Sequence, residues 1–230
     1  MQIIWLGHGS FRIEIGGEVL LIDPWINGNP MMEGQDTDAA IAGATQILVT
    51  HGHFDHTNDI VEISQKTGAP VSGMYELANV LTSMGAVEGN AFNKGGTVRF
   101  GEVAVTMVPA SHSSSMAVDG VARYMGMETG FMIEGDGHTI YHSSDTAIMA
   151  DMGWMGAYFR PDIGILSAGG YYTMDMQQAA WAALEYFDFK TVIPGHYRTF
   201  PALEQSAEVL AEGLPGVDVI EPHVMQPITF

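Results

Sequence analysis

The chain has 230 residues, 47% of them apolar, with 27 acidic side chains against 8 basic ones, no cysteine and a formal charge of −19. That length and apolar content suit one globular domain over residues 1–230 with a sizeable core. The charge disfavours nucleic acid and anionic membranes, which both require clustered Lys and Arg. Without cysteine no disulfide, iron–sulfur cluster or thiolate metal site can form, so a metal would have to be held by His, Asp and Glu. No apolar run reaches the roughly 18 residues of a membrane span, and the start "MQIIWLGHGSFRIEIGG" has no basic leader with a cleavage site, so the expected location is the cytoplasm.

In chain order, "QIIWL", "FRIEI" and "EVLLID" are short β-type runs separated by glycine turns, predicting a strand and a hairpin. "TQILVT" predicts a buried strand, and "NDIVEISQKTG" a helix with Ile60, Val61 and Ile63 on one face. "APVSG" and "MYELANVLTSMG" repeat strand then helix. The middle returns to strands: "GTVRF", "EVAVTMVPA", "ARYMGMETGFMIEG" and "HTIYHSSD". Then come the strand "PDIGILSAGG", the helix "MDMQQAAWAALEYF", the strand "TVIPG" and the helix "ALEQSAEVLAEG". Two hairpin blocks, each accompanied by helices, disagree with a doubly wound parallel sheet. They suit an α/β (α+β) sandwich of four layers, two mixed sheets face to face with helices outside. The 16 methionines read as flexible core filling.

The stretch "QILVTHGHFDHTND" places His51, His53, Asp55 and His56 within six positions of each other after a buried strand. Alternate residues of an extended segment point the same way, so His51 and His53 can reach one ion, while a turn into a helix aims Asp55 and His56 elsewhere. One cluster can thereby serve two neighbouring metals. The plain alternative is a solvated loop with Asp55 as a helix N-cap. Three later strand ends supply further candidates: His112 in "MVPASHSSS", Asp145 in "TIYHSSDTA" and His196 in "TVIPGHYRTF". Singly, each has an ordinary structural reading, a hydrogen-bonded histidine or a helix cap.

Together, "LIDPW", "THGHFDH", "PASHSSS", "YHSSDTA" and "IPGHY" resemble the five ordered motifs of the metallo-β-lactamase superfamily over nearly the whole chain. Within it, "GHGSFRIEIGGEVLLIDPWINGNP", "YHSSDTAIMADM" and the segment from "GGYYTMDMQQAAWAAL" to "VIPGHYRTFP" resemble the UPF0173 metal-dependent hydrolases, related to the ascorbate-6-phosphate lactonase group. The resemblance implies one metal on His51, His53 and His112, a second on Asp55, His56 and His196, and Asp145 bridging both. Zinc suits such ligands, as would manganese, iron or nickel. The absent cysteine departs from the thiolate-ligated antibiotic lactamases. His53 stands where the diiron oxygen reductases of the superfamily carry glutamate. Both departures favour a hydrolytic dinuclear site.

Two divalent ions bring about +4, and ionised Asp55, ionised Asp145 and one bridging hydroxide leave about +1. The hydroxide is the expected nucleophile, with Asp55 orienting it or relaying its proton. Asp55 and Asp145 are thus the expected catalytic carboxylates. The reaction class is hydrolysis of a small ester, lactone, amide or phosphodiester, with a small molecule as partner and a homo-oligomer left open. A nucleotide or RNA phosphodiesterase and a non-catalytic metal sensor or scaffold are the competing readings.

Around the site, Asp23 is the candidate acceptor for a ligand imidazole N–H, against a plain turn aspartate before Pro24. His8 and His142 are candidates to line the pocket or protonate the leaving group, against buried structural histidines. Arg198 is a candidate clamp for a substrate carboxylate or phosphate, against a surface ion pair. Tyr171, Tyr172 and Tyr197 are candidate pocket walls, with core packing expected for at least two.

Overall fold

The computed structural model describes residues 1–230 and contains sixteen strands, seven α-helices and a short 3-10 helix at Pro30–Met32. One mixed sheet comprises β1 (Gln2–Trp5), β2 (Phe11–Ile15), β3 (Glu18–Ile22), β4 (Gln46–Val49), β5 (Val71–Met74), β6 (Glu88–Phe92) and β16 (Pro227–Thr229), in the order β16-β1-β2-β3-β4-β5-β6. The other comprises β7 (Thr97–Phe100), β8 (Val103–Pro109), β11 (Thr129–Gly135), β12 (His138–His142), β13 (Ile163–Ser167), β14 (Thr191–Gly195) and β15 (Asp218–Val219), in the order β15-β14-β13-β12-β11-β8-β7. A separate hairpin pairs β9 (Ser115–Val118) with β10 (Val121–Tyr124). The helices are α1 (Thr37–Ile41), α2 (Phe54–Thr57), α3 (Ile60–Thr67), α4 (Tyr75–Ser83), α5 (Asp151–Phe159), α6 (Met176–Tyr186) and α7 (Glu208–Gly213). None is long and apolar enough to cross a membrane.

Local chemistry accounts for the main elements. The β2–β3 hairpin turns at Gly16 and Gly17, whose φ values of +57° and +81° need residues free of a Cβ clash and match the twist of the flanking strands. Helix α6 starts where the Asp175 carboxylate accepts from Gln178 N at 2.7 Å, and it buries Met176, Ala179, Ala180, Ala182 and Ala183. Small side chains let it lie close to its sheet. One contiguous hydrophobic cluster takes in the inward residues of both sheets, from Ile3, Phe11 and Ile13 to Phe131, Ile140 and Ile193. Each such side chain contributes about 1.5–3 kcal/mol through removal from water. Helix α4 packs on β5 and β6, and α6 on β13, so each sheet carries its own helices and the α/β sandwich expectation holds.

Several elements differ from expectation. "ARYMGMETGFMIEG" divides between β10 and β11, in different sheets. "ALEQSAEVLAEG" is helical only over Glu208–Gly213, because Gln205 Nε2 donates to Phe200 O and Leu203 O and holds the preceding segment as a turn. Strand β6, sequence "EGNAF", had no β signal; parallel pairing with β5 beyond a register shift creates it, with Gly89 tight against Val71 O. Nine methionines, among them Met107, Met132, Met155 and Met174, are buried, as core filling requires.

Pairing fixes where function can gather. Strands β1 and β3 both run antiparallel to β2, and β4 is parallel to β3, so the C-terminal ends of β1, β3 and β4 share one edge. Strands β8 and β12 both run antiparallel to β11, and β13 and β14 are parallel to β12, so the ends of β8, β12 and β14 share another. These six ends converge.

Candidate metal centre

The loop after β4 carries His51 to His56, with His53 as the residue preceding α2 in extended backbone (φ −69°, ψ 155°). His53, not Asp55, occupies the cap position, and Asp145 begins no helix, so the ordinary cap readings of these carboxylates fail. The loops after β8, β12 and β14 bring in His112, Asp145 and His196, and those after β1 and β3 bring in His8 and Asp23.

Ligating atoms form two main groups, each with members within 4.8 Å of one another: His51, His53 and His112, and His8, Asp55, His56 and His196. In the first, His51 Nε2 lies 3.1 Å and His112 Nε2 3.3 Å from His53 Nδ1. Tetrahedral zinc with bonds of 2.0–2.1 Å sets its ligand nitrogens about 3.3 Å apart, so this donor set fits a cation. Between the groups stands one oxygen. Asp145 Oδ2 lies 3.0 Å from His196 Nε2, 3.4 Å from His56 Nε2, 3.7 Å from His112 Nε2 and 3.9 Å from His51 Nε2. His56 Nε2 is buried without a hydrogen-bond partner, as expected of a nitrogen reserved for a metal.

The supporting contacts settle tautomers. His56 Nδ1 donates to Asp23 Oδ2 at 2.8 Å; a carboxylate only accepts, so Nδ1 holds a proton and Nε2 is the nitrogen that faces the site, free to ligate once a cation displaces any proton there. Asp23, fully buried, also accepts from Thr50 N at 2.8 Å and Thr50 Oγ1 at 2.5 Å. His8 Nε2 donates to Asp55 Oδ2 at 2.8 Å, while its Nδ1 meets Thr199 Oγ1 at 2.8 Å. The His8 carbonyl accepts from His196 N at 2.9 Å and Trp5 Nε1 at 2.8 Å, tying the loop after β1 to the loop after β14.

Backbone conformation is strained where these loops meet. His8, Asp23, Ser144 and His196 have φ of +52°, +46°, +56° and +58°, a region non-glycine residues rarely occupy. Close packing helps to hold them: a Cβ on Gly169 would lie 1.8 Å from His196 O.

In metal-free protein, burial pushes His8 down to about 4, with His196 beside it adding to the shift, so His8 is neutral at pH 7. Burial likewise holds His51 well below its ordinary value and lowers His53 and His112, leaving the first group as three neutral imidazoles ready to ligate. Burial opposes the charged form of His196, yet the Asp145 and Asp55 carboxylates outweigh it and hold this ring up at about 9. For His56 burial is again outweighed, by Asp145, Asp55 and Asp23, and the ring sits well above its ordinary value. Asp55 and Asp145 are held well below the usual carboxylate range by these imidazoles, despite burial. Two carboxylates therefore gather positive charge even in the absence of metal.

A cavity of about 880 Å³ opens onto the cluster, touching His8, His53, Asp55, His112, Asp145 and His196. The structure revises three expectations around it. Arg198 lies outside the lining, its Nη1 3.5 Å from Glu221 Oε1, which removes the substrate clamp in favour of the surface pair. His142 lies behind the cluster beside a void of about 10 Å³, packed edge-on to Phe11, and cannot reach a leaving group in the main cavity. Tyr197 is core, stacked on Trp5 at 5.1 Å, whereas Tyr171 and Tyr172 are exposed and only Tyr172 borders the cavity. His8 does line the cavity and reaches farther into the cluster than its motif suggested. Thr50 and Thr199, which orient Asp23 and His8, carried no signal beyond their place within the motif segments "THGHFDH" and "VIPGHYRTFP".

A β-lactamase superfamily domain profile matches residues 19–211. A UPF0173 metal-dependent hydrolase of Cereibacter sphaeroides is 61% identical over 230 residues, all of both chains, and one of Paracoccus denitrificans is 60% identical over 228 residues, 99% of each. Among solved structures, Igni18, a metallo hydrolase of the archaeon Ignicoccus hospitalis, superposes with a TM-score of 0.83 at 31% identity, over 100% of this chain and 98% of that one.

Proposed function

The chain belongs to the β-lactamase superfamily and within it to the UPF0173 metal-dependent hydrolases, and from that premise we propose that it is a dinuclear enzyme hydrolysing a small ester, lactone, amide or phosphodiester. The observation that carries the dinuclear reading is the position of Asp145 Oδ2, within 3.9 Å of two imidazole nitrogens from each group. His51, His53 and His112 would hold one divalent ion, Asp55, His56 and His196 the other, and Asp145 both, with zinc matching the donor set best. When bound, such ions supply a water of pKa near 7 and a Lewis acid for the oxygen under attack.

The chain's own residues supply the rest. Asp55 borders the cavity and stays ionised, so its carboxylate can accept a hydrogen bond from the attacking water and orient it. Neutral His8 keeps that carboxylate aimed by donating Nε2–H to it, and Thr199 fixes the His8 ring. Asp23 holds His56 in the tautomer that faces the cluster. His53 and Ser113 both line the cavity, Ser113 Oγ 3.2 Å from His53 Nε2.

The test compares metal-replete protein with Asp55→Asn and His196→Ala on a panel of lactones, thioesters, esters and phosphodiesters. We expect at least one compound whose turnover falls by a factor of 100 or more in both variants. Turnover absent throughout, or equal in all three proteins, would leave a metal-binding sensor or scaffold instead.

A further inference from the structure

The cavity divides sharply by chemistry. Of the 17 residues lining it, six belong to the histidine and aspartate cluster at its floor, and every other one is neutral. Four of these are small polar groups, Thr57, Asn58, Ser113 and Ser115. The remaining walls are Phe54, Met84, Met116, Ala117, Ala122 and Phe200, with Tyr172 at the mouth. No Lys or Arg borders it. Lys66 pairs with Asp38, Arg12 with Glu14 and Arg198 with Glu221. Arg123 lies across the β9–β10 hairpin from Met116 but is exposed and outside the lining.

The walls are built rather than incidental. Phe54 is 63% and Met84 53% exposed, yet both face this one cavity. Phe54 packs edge-on to buried Trp25 at 5.6 Å, and Trp25 also meets Phe200 at 6.2 Å, so the aromatic wall is braced from behind. The opposite wall is the hairpin, whose base is held to the cluster loop where Gly52 N donates to Ser114 Oγ at 3.1 Å. Large apolar side chains converging on a concave site mark a ligand surface, whereas isolated ones do not.

Away from the floor, an anionic substrate group would have no cation to pair with, inside a chain of net charge −19. A hydrocarbon group would instead remove Phe54, Met84 and Met116 from water. We propose that the cavity takes neutral carboxylic esters or lactones bearing an alkyl chain, the carbonyl at the floor and the chain along Phe54, Met84, Met116 and Phe200. This deepens, and rests on, the hydrolase reading. In the reaction, water oxygen bonds to the carbonyl carbon, the bond from that carbon to the alkoxy oxygen breaks, and one water proton passes to the departing alkoxide. The products are an acid and an alcohol, joined in one molecule for a lactone.

The test uses zinc-replete protein and γ-lactones whose alkyl tail grows from methyl to hexyl, with bis(p-nitrophenyl) phosphate as the anionic comparison. We expect kcat/KM to rise about three- to fourfold per methylene over the first several steps, and Met116→Lys to flatten that rise. Binding of 2-alkanones of matching length to metal-free protein, followed by calorimetry, should show the same dependence with no turnover involved. Arg123→Ala should alter neither. A flat dependence on length in both assays, or preferred cleavage of the phosphodiester that Arg123→Ala abolishes, would overturn the substrate class while leaving the hydrolase reading intact. If no γ-lactone is turned over although ketone binding tracks chain length, the lactone substrate class is overturned while the apolar cavity stands, and the hydrolase reading is decided by the broader panel with Asp55→Asn and His196→Ala.

Discussion

Asp23→Asn changes one oxygen for one nitrogen at a fully buried position, and the structure says which. Thr50 N donates to Oδ1, which the amide oxygen reproduces, so the amide nitrogen falls where Oδ2 now accepts from His56 Nδ1 and Thr50 Oγ1. An amide N–H facing Nδ1 favours the opposite imidazole tautomer, placing the His56 proton on Nε2, where the metal should bind. Loss of such a supporting partner costs 10- to 100-fold in metal affinity, equal to about 1.4–2.7 kcal/mol. The assay is competition with a zinc chelator at pH 7.5, resolving successive equivalents. We expect the weaker of the two to lose at least tenfold and the fold, by circular dichroism, to be retained. Both equivalents within twofold of the parent would refute this role for Asp23.

Further outcomes follow from the same geometry. Gly169→Ala places a Cβ against the His196 carbonyl and should reduce hydrolysis at least tenfold by shifting His196, read as kcat together with metal stoichiometry. His142→Leu removes a buried ring whose two nitrogens have no partner, so its thermal midpoint should hold or rise and turnover should persist; a fall in kcat beyond tenfold would restore a chemical role for His142. The stability of metal-stripped protein should peak near pH 6.5. His8 and His142, both held down at about 4 chiefly by burial, stay neutral when folded while the unfolded imidazoles protonate, so stability falls as pH drops from 6.5 towards 4. His196, held up at about 9, keeps a proton the unfolded chain releases, so its contribution is full below 6.5 and is lost as pH rises through 9. A midpoint still climbing between pH 7 and 9 would contradict that.

Much of the floor of the site was readable because its residue types have few structural uses in such a pattern. Three histidines and an aspartate within six positions after a buried strand have no packing rationale, and the later His and Asp residues sit at strand ends that the β signals marked. His8 was harder. Its reach into the cluster depends on the antiparallel return of β2 and on a left-handed backbone at His8 itself, neither of which its glycine-flanked motif specifies. The cavity walls were less legible still. Met116, Ala117 and Ala122 line it only because "SMAV" and "VARY" pair as a hairpin outside both large sheets, and "ARY" read as the start of the strand run "ARYMGMETGFMIEG". Arg198 drew notice as a rare cation, but Glu221, far along the chain, lies close enough to engage it. Helix α5, "DMGWMGAYF", carries two glycines and no side-chain cap; tertiary packing makes it helical, with Gly156 pressed against Tyr186 O.

Metal content tests the central claim most directly. Protein saturated with zinc and freed of unbound ion should contain two equivalents per chain, falling to one in His56→Ala with His51, His53 and His112 still occupied. One equivalent or none in the saturated parent would contradict the division of the histidine and aspartate cluster between two ions.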